Sequence, residues 1–236
     1  ENVCRSKENC SSIIPKIERL CGIKAFALPN LPHIYSVPSY IYNCISKLIP
    51  SIKLEDPFAV YLSKINLLSV HKTILIIGKY KTNDSYLSLK RAIEHACYAY
   101  NISPVIKFNK DDNPDCIIVP GGFGNRFIET KIKWIKTARL KDIPFLGICL
   151  GMQLMAIEIL RFLYPKANSM EFDKTTSHPV VIKISDNMIV GNKTISCKSH
   201  IFKNKIVRRY RHKYSINPNY NESLEYLNME ITGRID

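Results

Sequence analysis

The chain has 236 residues, with a hydrophobic content of 46% and a charged content of 23%; it is long enough for one large domain, or one domain and a piece of another, and its balance is that of an ordinary soluble globular protein. No stretch is long and apolar enough to span a bilayer, since Phe145 to Ile159 is interrupted by Gln153 and Glu158. The net charge of +14 raises nucleic acid as a partner, but the basic residues are spread along the chain without a helix-turn-helix, RNA-recognition or zinc-finger pattern, and most read as solvated surface.

The eight cysteines are scattered, with no Cys-x-x-Cys pair and no His-rich partner tract, so no metal site is expected. Cys97 and Cys116 lie inside apolar patterns, as free thiols do in a reduced cytoplasmic compartment. The chain opens at Glu1 with neither an initiator Met nor a secretory signal, and reads as a cut from a longer one.

Val3 to Ser6 reads as a strand end, Ile13 to Cys21 as a short helix and Ile23 to Leu28 as a strand. Pro29, Pro32 and Pro38 punctuate a loop that prohibits regular structure, and Tyr40 to Leu48 reads as an amphipathic helix before Pro50. Ser51 to Val70, with Asp56-Pro57, reads as a linker helix. Thr73 to Ile77 is a buried strand that opens a second domain. Asn83 or Asp84 is placed to cap a helix whose apolar stripe takes Leu89, Ala92, Ile93, Ala96, Cys97 and Tyr100, with His95 off it. Val105 to Phe108, Cys116 to Val119 and Ile143 to Ile148 follow as strands, and a helix over Lys131 to Leu140 turns Ile132, Ile135 and Ala138 inward. Alternating strands and helices imply an α/β fold with a doubly wound, mostly parallel sheet and ligands at the carboxyl ends of its strands. Further on, His178 to Ile184, Met188 to Gly191 and Lys193 to Cys197 alternate as strands. Val207 to Asn217 continues the pattern, placing Arg209, Arg211 and Lys213 on one face.

Phe145-Leu-Gly-Ile-Cys-Leu-Gly-Met-Gln153 passes from a strand straight into a helical pattern, Leu150 to Leu163, closed by Pro165. Cys149 sits on the turn, between Gly147 and Gly151 at the spacing of a nucleophile elbow. There it faces the positive end of the helix dipole, which is expected to lower its pKa. A buried cysteine at such a place also reads simply as a small hydrophobe. A second strand, from Asp115, ends in Gly121-Gly-Phe-Gly124, whose backbone N–H groups can face the cysteine across the sheet edge as an oxyanion hole.

Together Pro120-Gly-Gly-Phe-Gly124 and Gly147-Ile-Cys-Leu-Gly-Met-Gln153 resemble the class I glutamine amidotransferase domain of CTP synthase. Lys79-Tyr80 and Asp84-Ser-Tyr-Leu-Ser88 continue the resemblance. Cys4-Arg-Ser6, Ile17 to Cys21 and Ile34-Tyr-Ser-Val-Pro38 resemble the end of that family's amidoligase domain, an α/β domain of P-loop-like type. The resemblance implies residues 1–50 as the end of the amidoligase domain, 51–71 as a linker and 72–236 as an amidotransferase domain incomplete at its C-terminus. It implies Cys149 as the nucleophile, with N–H groups near Gly122 and Leu150 holding the oxyanion. Glutamine would be bound by Gln153, by Glu171 within Asn168-Ser-Met-Glu-Phe172, and by Arg211 on the α-carboxylate. It further implies a cytoplasmic enzyme, dimeric or tetrameric, that aminates UTP to CTP with ammonia from L-glutamine. ATP and magnesium would belong to the amidoligase part upstream, with GTP as an effector; no cofactor or metal is implied for this chain, and no membrane or nucleic-acid partner.

The sequence departs from the family's pattern in two places. The Thr-Met-Arg-Leu-Gly motif of the lid is reduced to Asn187-Met-Ile-Val-Gly191. The His-Pro-Glu segment that completes the Cys-His-Glu triad has no counterpart, because His178-Pro179 is followed by Val180. The chain is therefore expected to be truncated at both ends, or to be a degenerate relative with a binding or regulatory role. An α/β-hydrolase with a cysteine elbow fits less well, since an acid and then a histidine should follow the elbow in order, and no histidine follows His212.

Overall fold

In a computed structural model of the chain, residues 7–28, 31, 35–51, 58–80, 85–198, 202 and 204–235 are described. The chain divides into two compact units, Glu1–Val70 and His71–Asp236. The first unit holds α1 (Lys7–Cys21), α2 (Ser36–Leu48) and α3 (Ala59–Asn66). Three expectations change there. Residues 23–28 form no strand, and Ile23, Phe26 and Leu28 are exposed; no described strand of this unit lies beside them to pair with. Helix α2 starts at Ser36 and takes in Pro38, which is tolerated because a first-turn N–H has no intrahelical partner to lose. The linker helix shrinks to α3, while Cys4-Arg-Ser6, Ile34 and Asp56-Pro57 lie outside the described residues. The Tyr35 ring meets Tyr61 edge-on at 4.8 Å and Phe58 at 5.6 Å, joining the start of α2 to α3.

The second unit is built on four parallel strands, β1 (His71–Ile76), β2 (Ser103–Phe108), β3 (Cys116–Val119) and β4 (Phe145–Gly147), in the order β2-β1-β3-β4. Helix α4 (Leu87–Ala99) covers one face, and α5 (Ile128–Leu140) and α6 (Leu150–Leu160) the other. Because both faces are covered, Ile74 to Ile77 is buried without alternation. Odd and even positions separate, so that Ile74, Ile76 and Ile118 meet Ile93, whereas Leu75, Ile117 and Val119 meet Leu154 and Ile157. This is the expected doubly wound arrangement, and Ile132, Ile135 and Ala138 face inward as read.

The strand expected over Ile143 to Ile148 is only three residues long and lies at the edge of the sheet. Leu146 is 50% exposed there, since no described strand pairs beyond β4. Helix α4 buries a narrower stripe than its pattern suggested: Leu89, Ile93 and Cys97 pack inward, while Ala92, Ala96 and Tyr100 are exposed. Its N-cap is Tyr86 in a left-handed conformation, not Asn83 or Asp84, which lie outside the described residues. The Tyr86 ring takes the space a side chain at Gly78 would need, 2.6 Å from the ideal Cβ position, and its hydroxyl accepts the Lys79 N–H at 2.8 Å.

Two ion pairs fasten the α5–α6 layer. Arg139 grips Glu158 through both carboxylate oxygens, at 3.0 and 2.7 Å. Arg161 grips Glu129 in the same way at 2.8 and 2.9 Å and also donates to the Ala167 carbonyl. Beyond α6 come two small sheets. Strand β6 (His178–Lys183) lies between β5 (Ala167–Ser169) and β9 (Tyr214–Ile216), with a register shift at Asn168/Ser169. Strand β7 (Ile189–Cys197) lies between β8 (Lys205–His212) and β10 (Gly233–Ile235). It runs unbroken through Gly191, so the two strands read on either side of Asn192 are one. A short α7 (Asn221–Tyr226) anchors Leu224 in the larger core.

Candidate functional site

Cys149 connects β4 to α6 at φ 54° and ψ −105°. The mirror image of that pair is ordinary extended backbone, so glycine takes it freely and any L side chain is strained in it, at a cost of about 1–3 kcal/mol. The two flanking glycines are required by contact. A Cβ on Gly147 would lie 2.6 Å from the Gly151 carbonyl carbon, and one on Gly151 would lie 2.0 Å from the Val119 carbonyl oxygen. Helix α6 therefore starts hard against the end of β3, and the one side chain that projects is the thiol. Gly121 approaches from the other loop less tightly, its ideal Cβ position being 3.3 Å from the Cys149 Cβ.

The backbone N–H groups of Leu150 and Gly122 are turned to the sulphur and favour its thiolate. They are the two donors read from the sequence, one from the helix N-terminus and one from the glycine loop. The expected fall in the thiol pKa does not follow. Burial pushes the Cys149 thiol up, the nearby Glu171 carboxylate pushes in the same direction, and the two N–H groups oppose them without winning. Desolvation of the charged form outweighs a half-charge at a helix end, and among the described residues no cation offsets it at the sulphur.

The remaining residues of the reading fall into two groups. Glu171 and Arg211 both reach the glycine loop, one from the turn after β5 and the other from β8. Glu171 Oε1 accepts the Gly124 N–H at 2.7 Å, and the Arg211 guanidinium lies over the Phe123 ring, 5.8 Å from its centre. Gln153 is 6% exposed and its side-chain amide donates to the Tyr214 carbonyl at 2.9 Å, which ties α6 to β9 just beyond the arginine strand. Arg209 and Arg211 share a face of β8 by alternation, but the strand ends at His212 and Lys213 leaves that face on a bend. His212 points to the opposite face, where its Nδ1 is buried without a hydrogen-bond partner, and His178 stacks on Tyr164 at 4.9 Å. His200 lies outside the described residues.

Two participants were not read from the sequence. Phe123 was legible only as part of a glycine-rich motif, though an aromatic between glycines is itself a sign of a ring held for contact. Ser169 gave no signal: it is 1% exposed and its hydroxyl accepts the Glu171 N–H at 3.1 Å.

Residues 82–234 match the family described as glutamine amidotransferase class-I. The chain belongs to the class I glutamine amidotransferases. Among similar amidotransferases, CTP synthase from Syntrophus aciditrophicus is 32% identical over 98% of this chain and 51% of its own length. CTP synthase from Methanocaldococcus jannaschii is 36% identical over 69% of this chain and 37% of its own. The chain thus spans about half the length of the curated relatives it matches. Among solved structures, the glutaminase domain of Trypanosoma brucei CTPS with bound acivicin superposes with a TM-score of 0.63 at 30% identity, covering 71% of this chain and 76% of that one. An amidotransferase fold accounts for both glycine loops meeting at one sheet edge. Among the described residues no helix is long and apolar enough to cross a membrane.

Proposed function

We propose that this chain is the glutaminase part of a CTP synthase, with Cys149 as its nucleophile. The observation that carries the reading is the strained Cys149 elbow with the Leu150 and Gly122 N–H groups turned to its sulphur. Cys149 gives up its thiol proton and attacks the carboxamide carbon of L-glutamine, the carbonyl oxygen takes up the charge between those two N–H groups, and the C–N bond breaks as that proton passes to the leaving nitrogen, giving a glutamyl thioester and ammonia. Glu171 receives the α-ammonium and Arg211 the α-carboxylate, for which a guanidinium offers paired donors. Gln153 supports both by fixing β9 to the nucleophile's own helix.

In the whole protein, residues 1–50 close an amidoligase domain and 51–71 link it to the glutaminase domain. ATP and magnesium on the amidoligase part activate UTP for amination by the released ammonia, with GTP as effector, in a cytoplasmic homo-oligomer that needs neither nucleic acid nor membrane. L-Glutamine should protect Cys149 from alkylation in a saturable way, and L-asparagine should not. Equal protection by both, or none by either, would remove glutamine from the reading.

A second reading has its own support. Burial pushes the Cys149 thiol up, while His178 stacks on Tyr164 and His212 lies on the face of β8 opposite Arg211. A chain that binds glutamine without cleaving it fits those two facts, and would show glutamine protection without ammonia release.

A further inference from the structure

The loop that carries the Gly122 N–H has little of its own to hold it. Among the described residues, Gly121 to Arg126 make no backbone–backbone hydrogen bond to any other segment, and Gly124 stands at φ +83°. A donor that has to meet developing charge at one point keeps its value only if it cannot turn away. The support comes from the opposite wall of the site, where Gly124 N–H donates to Glu171 Oε1 at 2.7 Å. Glu171 itself sits on a fixed turn. The buried Ser169 accepts the Glu171 N–H on its hydroxyl and the N–H groups of Phe172 and Asp173 on its carbonyl, at 3.0 Å each, while Met170 N–H donates to Val181 at 2.9 Å.

We propose that Glu171 is a positioning residue for the oxyanion loop: its carboxylate, carried on the rigid turn after β5, holds Gly124 and thereby keeps the Gly122 N–H on Cys149. The proposal rests on Cys149 being the nucleophile, and is independent of any contact between Glu171 and substrate. It also gives the two carboxylate oxygens separate duties, since Oε1 serves the loop and Oε2 remains to meet an α-ammonium group. Binding of glutamine and assembly of the oxyanion hole are then linked through one side chain.

Glu171 acts on the thiolate in two opposite ways, its charge disfavouring it and its hold on the loop favouring it, and substitutions separate the two. Glu171→Gln removes the charge and keeps an acceptor oxygen at full reach. Glu171→Ala removes both, and Glu171→Asp keeps the charge on a side chain one methylene too short to reach Gly124. The readout is the rate of Cys149 alkylation by iodoacetamide in the full chain, at one pH below the thiol's inflection; iodoacetamide has no α-amino group, so the substrate contact plays no part. Glu171→Gln should be fastest, Glu171→Ala about tenfold slower than Glu171→Gln, which is the size of one hydrogen bond to a charged group, and Glu171→Asp slower than the unaltered chain. Equal rates for the Gln and Ala variants, or an Asp variant that matches the unaltered chain, would overturn the proposal. Acivicin labelling of the same variants reads the α-ammonium contact separately: its loss in Glu171→Gln, with iodoacetamide alkylation enhanced, is the outcome expected if both roles hold.

Discussion

Cys149 combines a backbone that suits glycine with a side chain that only cysteine supplies, and the two can be separated by substitution. Cys149→Ala keeps the strain and Cys149→Gly relieves it, so the glycine variant should melt higher than the alanine variant by the equivalent of about 1 kcal/mol, toward the low end for a strained residue. Equal melting of the two would mean that the turn is not strained. The thiol also sets a pH dependence. Its folded-state pKa lies above the ordinary value because of burial, so its contribution to stability is complete below the unfolded-state pKa and is lost as pH rises through the folded one. Alkylation of Cys149 should accordingly inflect at higher pH than alkylation of the same cysteine in the denatured chain, and an inflection below that of the denatured chain would contradict the burial account. Both arginines are exposed, but Arg211, over Phe123, should matter far more than Arg208, whose guanidinium turns back to the Val207 carbonyl. Arg211→Ala should slow acivicin labelling about 10- to 100-fold, the range for losing a hydrogen bond to a charged group, with Arg208→Ala near unchanged.

The β3–elbow–α6 unit depends on backbones in contact. Gly151→Ala gains about 1 kcal/mol of helix propensity, yet its Cβ would fall 2.0 Å from the Val119 carbonyl oxygen, and backbone cannot yield as a flexible side chain can. A net loss of about 1–3 kcal/mol on melting is expected, together with slower labelling of Cys149. Helix α5 carries the reverse case in Lys131, 4% exposed, whose pKa is lowered by burial and then by the nearby cation Lys79. Lysine charged in such a place costs stability, fully so below its folded-state pKa and less as pH rises from there toward the ordinary lysine range. Lys131→Met should therefore raise the melting temperature at neutral pH, and a lower one would show that the ammonium has a favourable partner.

These elements also show what the residues revealed and what they did not. The two glycine loops were readable because glycine at contact positions is a local requirement, and the strands Thr73 to Ile77 and Cys116 to Val119 because burial on both faces removes alternation. Ile143 to Ile148 carried the same apolar signal but lies at an edge, since a run of hydrophobic residues does not record whether a neighbour strand covers it. The pKa of Cys149 was misjudged for a similar reason: a helix N-terminus is visible in sequence, whereas the depth of burial is a tertiary property. The Gly124–Glu171 hydrogen bond was invisible because it joins segments 47 positions apart, and Ser169 because its burial is a tertiary property.

For the molecule as a whole, an intact elbow and pocket wall do not amount to turnover. Amide cleavage needs a proton delivered to the leaving ammonia, help that contributes typically ~10²–10⁴-fold, and among the described residues His178 stacks on Tyr164 and His212 lies on the face of β8 opposite Arg211. The 236-residue chain should therefore release little or no ammonia from glutamine; steady release abolished by Cys149→Ala would show that one of its histidines serves after all. Leu146 in β4 and Ile148 just after it are exposed, and among the described residues no strand pairs beyond β4, which should lower stability and favour association at high protein concentration. The most direct test of the central claim, that Cys149 is a glutamine-directed nucleophile, is reaction of the whole chain with acivicin followed by peptide mapping. The label is expected on Cys149 alone and suppressed by L-glutamine; a label on any other cysteine, with Cys149 unmodified, would contradict it.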